Sequence, residues 1–185
     1  MNELSVHIES SGRVTLCGEN VAVSLNGRQM LVELYRNHVG DYPKFFKMDT
    51  MSRLAFIASE LLLNKEEGRF EERDDRAVIF GGVTDCTVQD EAYRLSYCDK
   101  DNYFPSPALF VYTLPNIASG EVAIRNRYLG ETMYFAAVDE AEFEKLCRAA
   151  LCGRTHSVLA AWIEVKSADN FSCSMKVMHS QHNNA

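Results

Sequence analysis

The stretch Phe104-Pro-Ser-Pro-Ala-Leu-Phe-Val-Tyr-Thr-Leu-Pro-Asn-Ile-Ala-Ser-Gly-Glu-Val-Ala-Ile-Arg-Asn-Arg-Tyr-Leu-Gly130 contains the signals around which the rest of the chain is read. Ser106 can cap a helix, and Pro107 can fill its first position, where an N–H would have no intrahelical partner. The ring of Pro115 disfavours the α conformation in Leu114, so that short helix ends there after Thr113. A second helix is predicted from about Asn116 to Tyr128, stopping at Gly130. On it Ala118, Gly120 and Ala123 are small and let a neighbouring element approach closely.

Working outward, Thr132 to Val138 reads as a strand, Asp139 to Leu151 as a helix and Gly153 as its stop. Ser157 to Lys166 and Phe171 to Met178 read as two strands joined by the polar turn Ser167-Ala168-Asp169-Asn170. Upstream, Arg76 to Phe80 is a continuous apolar run closed by Gly81-Gly82, the pattern of a strand buried on both faces. Thr87 to Tyr97 is predicted helical with Val88, Ala92 and Leu95 inward. The charged run Lys65 to Asp75 reads as a solvated connection. Before it, Asp49 can cap a helix that gathers Met51, Leu54, Ala55, Ala58, Leu61 and Leu62 on one face and leaves Arg53 and Glu60 mostly off it. Gln29 to Val39 is a further helix. The first two dozen residues read as short strands, Leu4 to Glu9, Arg13 to Cys17 and Val21 to Leu25, in a hairpin or at a sheet edge. This alternation predicts an α/β layered sandwich, a mixed sheet with helices packed on it, in one domain over 1–185.

The net charge of -7 and the absence of a clustered Lys/Arg face give nucleic-acid phosphates nothing to hold. The apolar runs, such as Ala108 to Leu114, are too short to span a bilayer, and no export signal precedes them, so a cytoplasmic protein is expected. The 6 cysteines, at 17, 86, 98, 147, 152 and 173, have no paired spacing and read as reduced thiols. No CxxC, HxxxH or HExxH occurs, so neither a metal nor a cofactor is expected. His179 and His182 read as part of a frayed polar terminus.

The 104–130 segment resembles the ketosynthase stretch that precedes the nucleophile: a Pro-containing segment and Pro-Asn, a helix reading small-Gly-x-x-Ala-Ile, a Gly, then a strand. Lys47-Met-Asp-Thr-Met-Ser-Arg-Leu-Ala-Phe-Ile-Ala-Ser-Glu-Leu-Leu-Leu63 is similar, more loosely, to an earlier helix of the same half. Together these cover roughly residues 45 to 165. The whole chain resembles the short ketosynthase-like proteins found beside pigment and polyene synthesis genes in some bacteria. The resemblance implies a thiolase-like fold, of which this chain would be a single half-unit, the N-terminal half of a β-ketoacyl synthase. Complete subunits stack two such halves, and full enzymes dimerise.

The resemblance also implies where chemistry should lie. A ketosynthase uses a Cys on a sharp strand-to-helix turn to take the acyl chain as a thioester, with two histidines assisting decarboxylation. Counting on from Gly130, that Cys should sit near Ala137 to Glu140, and the sequence there holds Asp139 followed by Glu142, close to a capping box. The family's two histidines come from the half not matched here, and His156 has no counterpart in the pattern. Cys86, at the end of the Arg76 to Gly82 strand, is the remaining candidate nucleophile. On the 116–128 helix, Asn116, Gly120, Glu121 and Arg125 are interface candidates, since that helix lies at the subunit interface in the family. Alternatively, Glu121 and Arg125 form an i,i+4 ion pair on the helix surface.

The expectation is a non-catalytic subunit, working by self-association or by pairing with a full ketosynthase, with an acyl carrier protein as a possible further partner. A half-unit should expose the apolar face that its twin would cover. Two alternatives stand beside it: an acyltransferase using Cys86 or a partner-completed site, and an acyl-chain binding module with a pocket lined by Phe110, Tyr112 and Phe135.

Overall fold

The computed structural model describes residues 4–101 and 103–180. Its elements follow one another as β1 (Ser5–Glu9), β2 (Arg13–Leu16), β3 (Glu19–Asn20), α1 (Gly27–His38), a 3-10 turn over Pro43–Lys47, α2 (Thr50–Leu63), β4 (Arg76–Gly82), α3 (Thr87–Leu95), α4 (Pro107–Val111), α5 (Asn116–Asn126), β5 (Thr132–Ala136), α6 (Glu140–Ala149), β6 (Ser157–Ser167) and β7 (Asn170–His179). The strands form one 7-stranded sheet in the order β3-β2-β1-β7-β6-β4-β5. β4 lies parallel to both β5 and β6, while β7 runs antiparallel to its neighbours β6 and β1. Mixed pairing of this kind with helical crossovers is an α/β sandwich.

Helices α1, α2 and α5 cover one face, where Val78 and Phe80 of β4 meet Leu31, Phe56, Leu62 and Val122. On the other face Ala77 and Ile79 meet Phe143 and Cys147 of α6. The residues of β4 alternate between two cores, which explains why all seven are buried and why the run reads as continuously apolar.

Several expectations change. The predicted strand over Val21 to Leu25 does not form, while β1 and β2 pair as the expected hairpin and the short β3 lies at the sheet edge. Helix α2 is buried nearly all round because the sheet, α1 and α5 all contact it. Glu60 is therefore only 2% exposed, and its charge is met by Arg69 and Arg125. The 65–75 connection is anchored rather than simply solvated. Glu66 receives a bidentate pair from Arg76, which is 1% exposed and also donates to Ser157 Oγ at 3.0 Å and Tyr128 Oη at 3.1 Å. A buried cation so surrounded holds the start of β4, the end of α5 and the start of β6 together. Helix α5 ends earlier than Gly130, at Arg127 in the left-handed region (φ 59°). Leu95 points to solvent, and Gln89 is the buried residue of α3. His179 closes strand β7, paired with Ser157, and His182 lies outside the described residues.

The face carrying α6 also departs from expectation beyond that helix. Opposite Ala160 and Trp162 of β6 stand Lys176 and Ser174 of β7, then Ser5 and His7 of β1, then Thr15 of β2. These polar positions bond to one another: His7 Nδ1 lies 2.8 Å from Ser174 Oγ, His7 Nε2 lies 2.8 Å from Glu9 Oε1, and Lys176 Nζ pairs with Glu144 at 3.1 Å. The expected bare apolar face is thus absent from this part of the sheet. With period-2 alternation, Ser, His, Glu, Lys and Thr fill the outward positions of three successive strands.

Candidate functional site

The carboxyl ends of β4, β5 and β6 lie side by side, because all three run in one direction. Such ends are where α/β sheets place their sites. Two chain reversals meet there, one leading from β4 into α3 and the other from β5 into α6.

The first reversal is crowded and fixed. A Cβ on Gly82 would lie 2.1 Å from the Ile163 carbonyl oxygen, and one on Gly81 would lie 2.6 Å from the Phe143 ring. Glycine is required at both positions for β6 and α6 to pack against β4. The Glu164 carboxylate accepts from the N–H groups of Val83 (2.9 Å) and Thr84 (3.1 Å), while Thr84 Oγ1 accepts from the Val165 N–H at 2.8 Å. Asp85 then turns the chain with φ 48°, a conformation that Asp tolerates better than most residues.

Cys86 follows at the N-cap of α3 and is 3% exposed. Burial, with the nearby carboxylates of Asp85, Asp49 and Asp90, pushes its thiol up to about 12. At neutral pH such a group is a thiol and not a thiolate, and the thiolate is the nucleophilic form. The surroundings that activate a cysteine are cationic, whereas these are acidic. The Cys86 side chain packs into the larger core cluster. Tyr134 of β5 lies in the same surroundings, and burial, then Asp85, Cys86 and Glu164, raise its phenol above the ordinary range.

The second reversal carries Asp139. Its backbone is extended (φ -151°, ψ 169°) and its side chain accepts from the Glu142 N–H at 2.8 Å. Glu142 reaches back and accepts from the Val138 N–H at 2.9 Å, one residue earlier than a standard capping box requires. Phe143, one turn in, packs on Gly81 and lies 5.5 Å from the Trp162 ring. The turn after β5 is therefore constructed to start α6 and to seat it on the sheet. Both acidic side chains are occupied in doing so.

No family model and no curated protein matches the chain. Solved structures do. One is a ketosynthase (ApeO) in complex with its chain length factor (ApeC) from Xenorhabdus doucetiae, at TM-score 0.57 and 12% identity, covering 86% of this chain and 76% of that one. A second is the ishigamide ketosynthase/chain length factor, at TM-score 0.66 and 17% identity, covering 97% of this chain and 61% of that one. This chain has a ketosynthase-type, thiolase-like fold. A third, a β-ketoacyl synthase from Burkholderia phymatum, matches at TM-score 0.55 and 14% identity over 78% of this chain and 46% of its own length. The chain spans less than two thirds of the second and third structures.

The remaining residues singled out in the sequence of this ketosynthase-like chain are dispersed. Glu121 pairs with Lys44 at 2.6 Å, and Arg125 pairs with Glu60 at 3.2 Å and Asp41 at 3.1 Å, so the expected i,i+4 pair between them gives way to ties with other elements. Both side chains serve to seat α5 on α2 and the 3-10 turn. Asn116 is exposed, and Gly120 faces open space. His156 is exposed, 3.9 Å from Asp75. Phe110 packs on Tyr93 at 5.4 Å, Tyr112 donates to the Lys47 carbonyl at 3.1 Å, and Phe135 is partly buried against the core cluster beneath α6. Those three aromatics do not share a pocket. Among the described residues no group of three or more His, Cys, Asp or Glu is arranged to hold a metal ion, and no helix is long and apolar enough to cross a membrane.

The sequence reading missed Glu164, which locks the β4 reversal, and the pairing of buried Arg76. The signal for Arg76 was present: a charge adjoining a run buried on both faces must itself be buried and therefore paired.

Proposed function

We propose that this chain is a non-catalytic ketosynthase-like subunit that acts through protein contacts with a full ketosynthase, in a cytoplasmic pathway of the fatty-acid, polyene or polyketide type. The observation that carries this reading is the reversal after β5. Where the resemblance leads one to expect a thiol, Asp139 caps α6 and Glu142 closes the cap behind it. A carboxylate at that point would repel a thioester oxygen or an enolate as negative charge develops on it, the opposite of what condensation needs. The buried, unionised thiol of Cys86 supports the same reading, because it offers no substitute.

The likeness to chains in ketosynthase/chain length factor structures supports a partner role. One of these matches is to a ketosynthase in complex with its chain length factor, and it covers 76% of that chain. On this reading the partner ketosynthase supplies the chemistry, and an acyl carrier protein delivers the growing chain to it.

Native mass spectrometry tests the reading. The chain mixed with a full-length ketosynthase encoded in the same genome should give a heteromer of defined stoichiometry. A chain that stays a monomer with every such ketosynthase would overturn it.

A further inference from the structure

The largest departure from ordinary surface composition lies on the hairpin formed by α3 and α4. Between residues 95 and 114, eight large apolar or aromatic side chains are more than a third exposed, among them Phe104 at 75%, Tyr103 at 62%, Leu95 at 59%, Phe110 at 48% and Leu114 at 45%. At about 200 Å² for a fully exposed large side chain, their exposed fractions amount to roughly 800 Å². Gathered on one hairpin, that is of the order of one partner's share of a standard interface. The hairpin is internally ordered. The Tyr93 ring meets that of Tyr97 edge-on and lies tilted against that of Phe110, and the Phe104 N–H donates to the Ser96 carbonyl. It is seated shallowly on the body: α3 has one buried residue, Gln89, and α4 has none.

The occupant can be argued from charge. Exposed Asp90, Glu91, Asp99 and Asp101 rim the hairpin, and Arg94 is already engaged by Glu91 through two 2.6 Å bonds, which leaves Lys100 as the other cation of the rim. A symmetric pair of copies would set one acidic rim against another in a chain of net charge -7. A different chain with a basic rim meets no such repulsion. The open face of the sheet, which a stacked half-unit would need, is polar and internally hydrogen-bonded and does not compete as an apolar docking surface.

We infer that the α3–α4 hairpin is the docking surface for a ketosynthase-fold subunit other than this chain, one that presents an apolar face bordered by Lys and Arg. The inference rests on the function proposed above and names the surface that function would use. The test is biolayer interferometry between this chain and each full-length ketosynthase encoded in the same genome, with Phe104→Asp and Leu114→Asp as patch variants and Thr15→Glu on the open sheet face as control. Circular dichroism melts establish that each variant keeps the wild-type Tm, which the exposure of these positions favours.

The expected result is at least a tenfold loss of affinity in the patch variants, less than twofold in the control, and wild-type binding that weakens as salt is added. Undiminished binding by folded patch variants overturns the surface assignment and leaves the functional reading standing. A wild-type homodimer that Phe104→Asp dissolves also overturns it, because the occupant is then a second copy. If no ketosynthase binds the wild-type chain, the functional reading itself fails and the assignment falls with it.

Discussion

Replacing Asp139 by Ala separates a helix cap from a residue held for chemistry. In the wild-type chain the Asp139 carboxylate accepts from the Glu142 N–H at 2.8 Å, at the positive end of the α6 dipole. Removing it leaves that N–H to water, a loss of about 1 kcal/mol typical of an N-cap, with a further ~0.5 kcal/mol for the lost charge-dipole interaction. A domain of this size loses about 2–4 °C of Tm per kcal/mol, so Asp139→Ala should melt about 3–6 °C below wild type in a circular dichroism or calorimetric scan. Asp139→Ser retains an acceptor in the same place and should lie within about 0.5 kcal/mol of wild type. The loss should be felt at α6 in particular, where Phe143 rests on Gly81, and hydrogen exchange should show faster opening of residues 140–149. An Asp139→Ala variant as stable as wild type, with α6 equally protected, would refute the capping argument.

Three further perturbations follow from the same packing. Glu60→Leu leaves the buried guanidinium of Arg69 and that of Arg125 without the carboxylate between them; a loss of about 3–5 kcal/mol is expected by urea titration, against a smaller one for Glu60→Gln. Burial holds the Asp49 carboxyl above the ordinary range although it accepts from Ser52, Met51 and Gln89. The folded state therefore keeps its proton to higher pH than the unfolded chain, and stability is lost as pH rises through that window. Asp49→Asn removes this loss, so its stability relative to wild type should improve from acid to neutral pH, whereas Asp49→Ala should cost about 1 kcal/mol or more at every pH; a difference between Asp49→Asn and wild type that does not change with pH would contradict the assignment. Thiol labelling at pH 8 should modify exposed Cys98 and Cys152 readily, while Cys86, with its thiol pushed up to about 12, reacts roughly a thousandfold more slowly in the folded protein than after unfolding.

Much of the fold was legible because its signals are local. Asp49, Ser106 with Pro107, and Asp139 with Glu142 each mark a helix start through the chemistry of unpaired N–H groups, and all three starts are observed. The apolar run before Gly81-Gly82 gave the central strand, and the turn around Asp169 gave the β6–β7 hairpin. What escaped depends on residues distant in sequence. Helix α2 reads as one-faced because periodicity records intrinsic amphipathicity and not the number of neighbours, so Glu60 passed for a surface charge until α5 and Arg69 closed over it. Val21 to Leu25 has strand composition, but Glu33 of α1 captures the N–H groups of Ser24 and Leu25 and holds the segment off the sheet.

At the candidate site the sequence identified the two reversals and the acid at the head of α6. It left open whether Cys86 could react, since a thiol's ionisation depends on burial and on carboxylates brought in from Asp49, 37 positions upstream. The polar filling of the open sheet face was also beyond reach. Ser5, His7, Thr15 and Ser174 are unremarkable singly, and their shared face emerges only once the register of β2, β1 and β7 is known.

A chain without catalytic chemistry cannot hold an acyl group as a thioester. Incubated with acyl-coenzyme A or acyl carrier protein thioesters and analysed by intact-mass spectrometry, the folded chain should keep its unmodified mass. A stoichiometric acyl adduct, released by hydroxylamine and lost in Cys86→Ser, would contradict the account at its root.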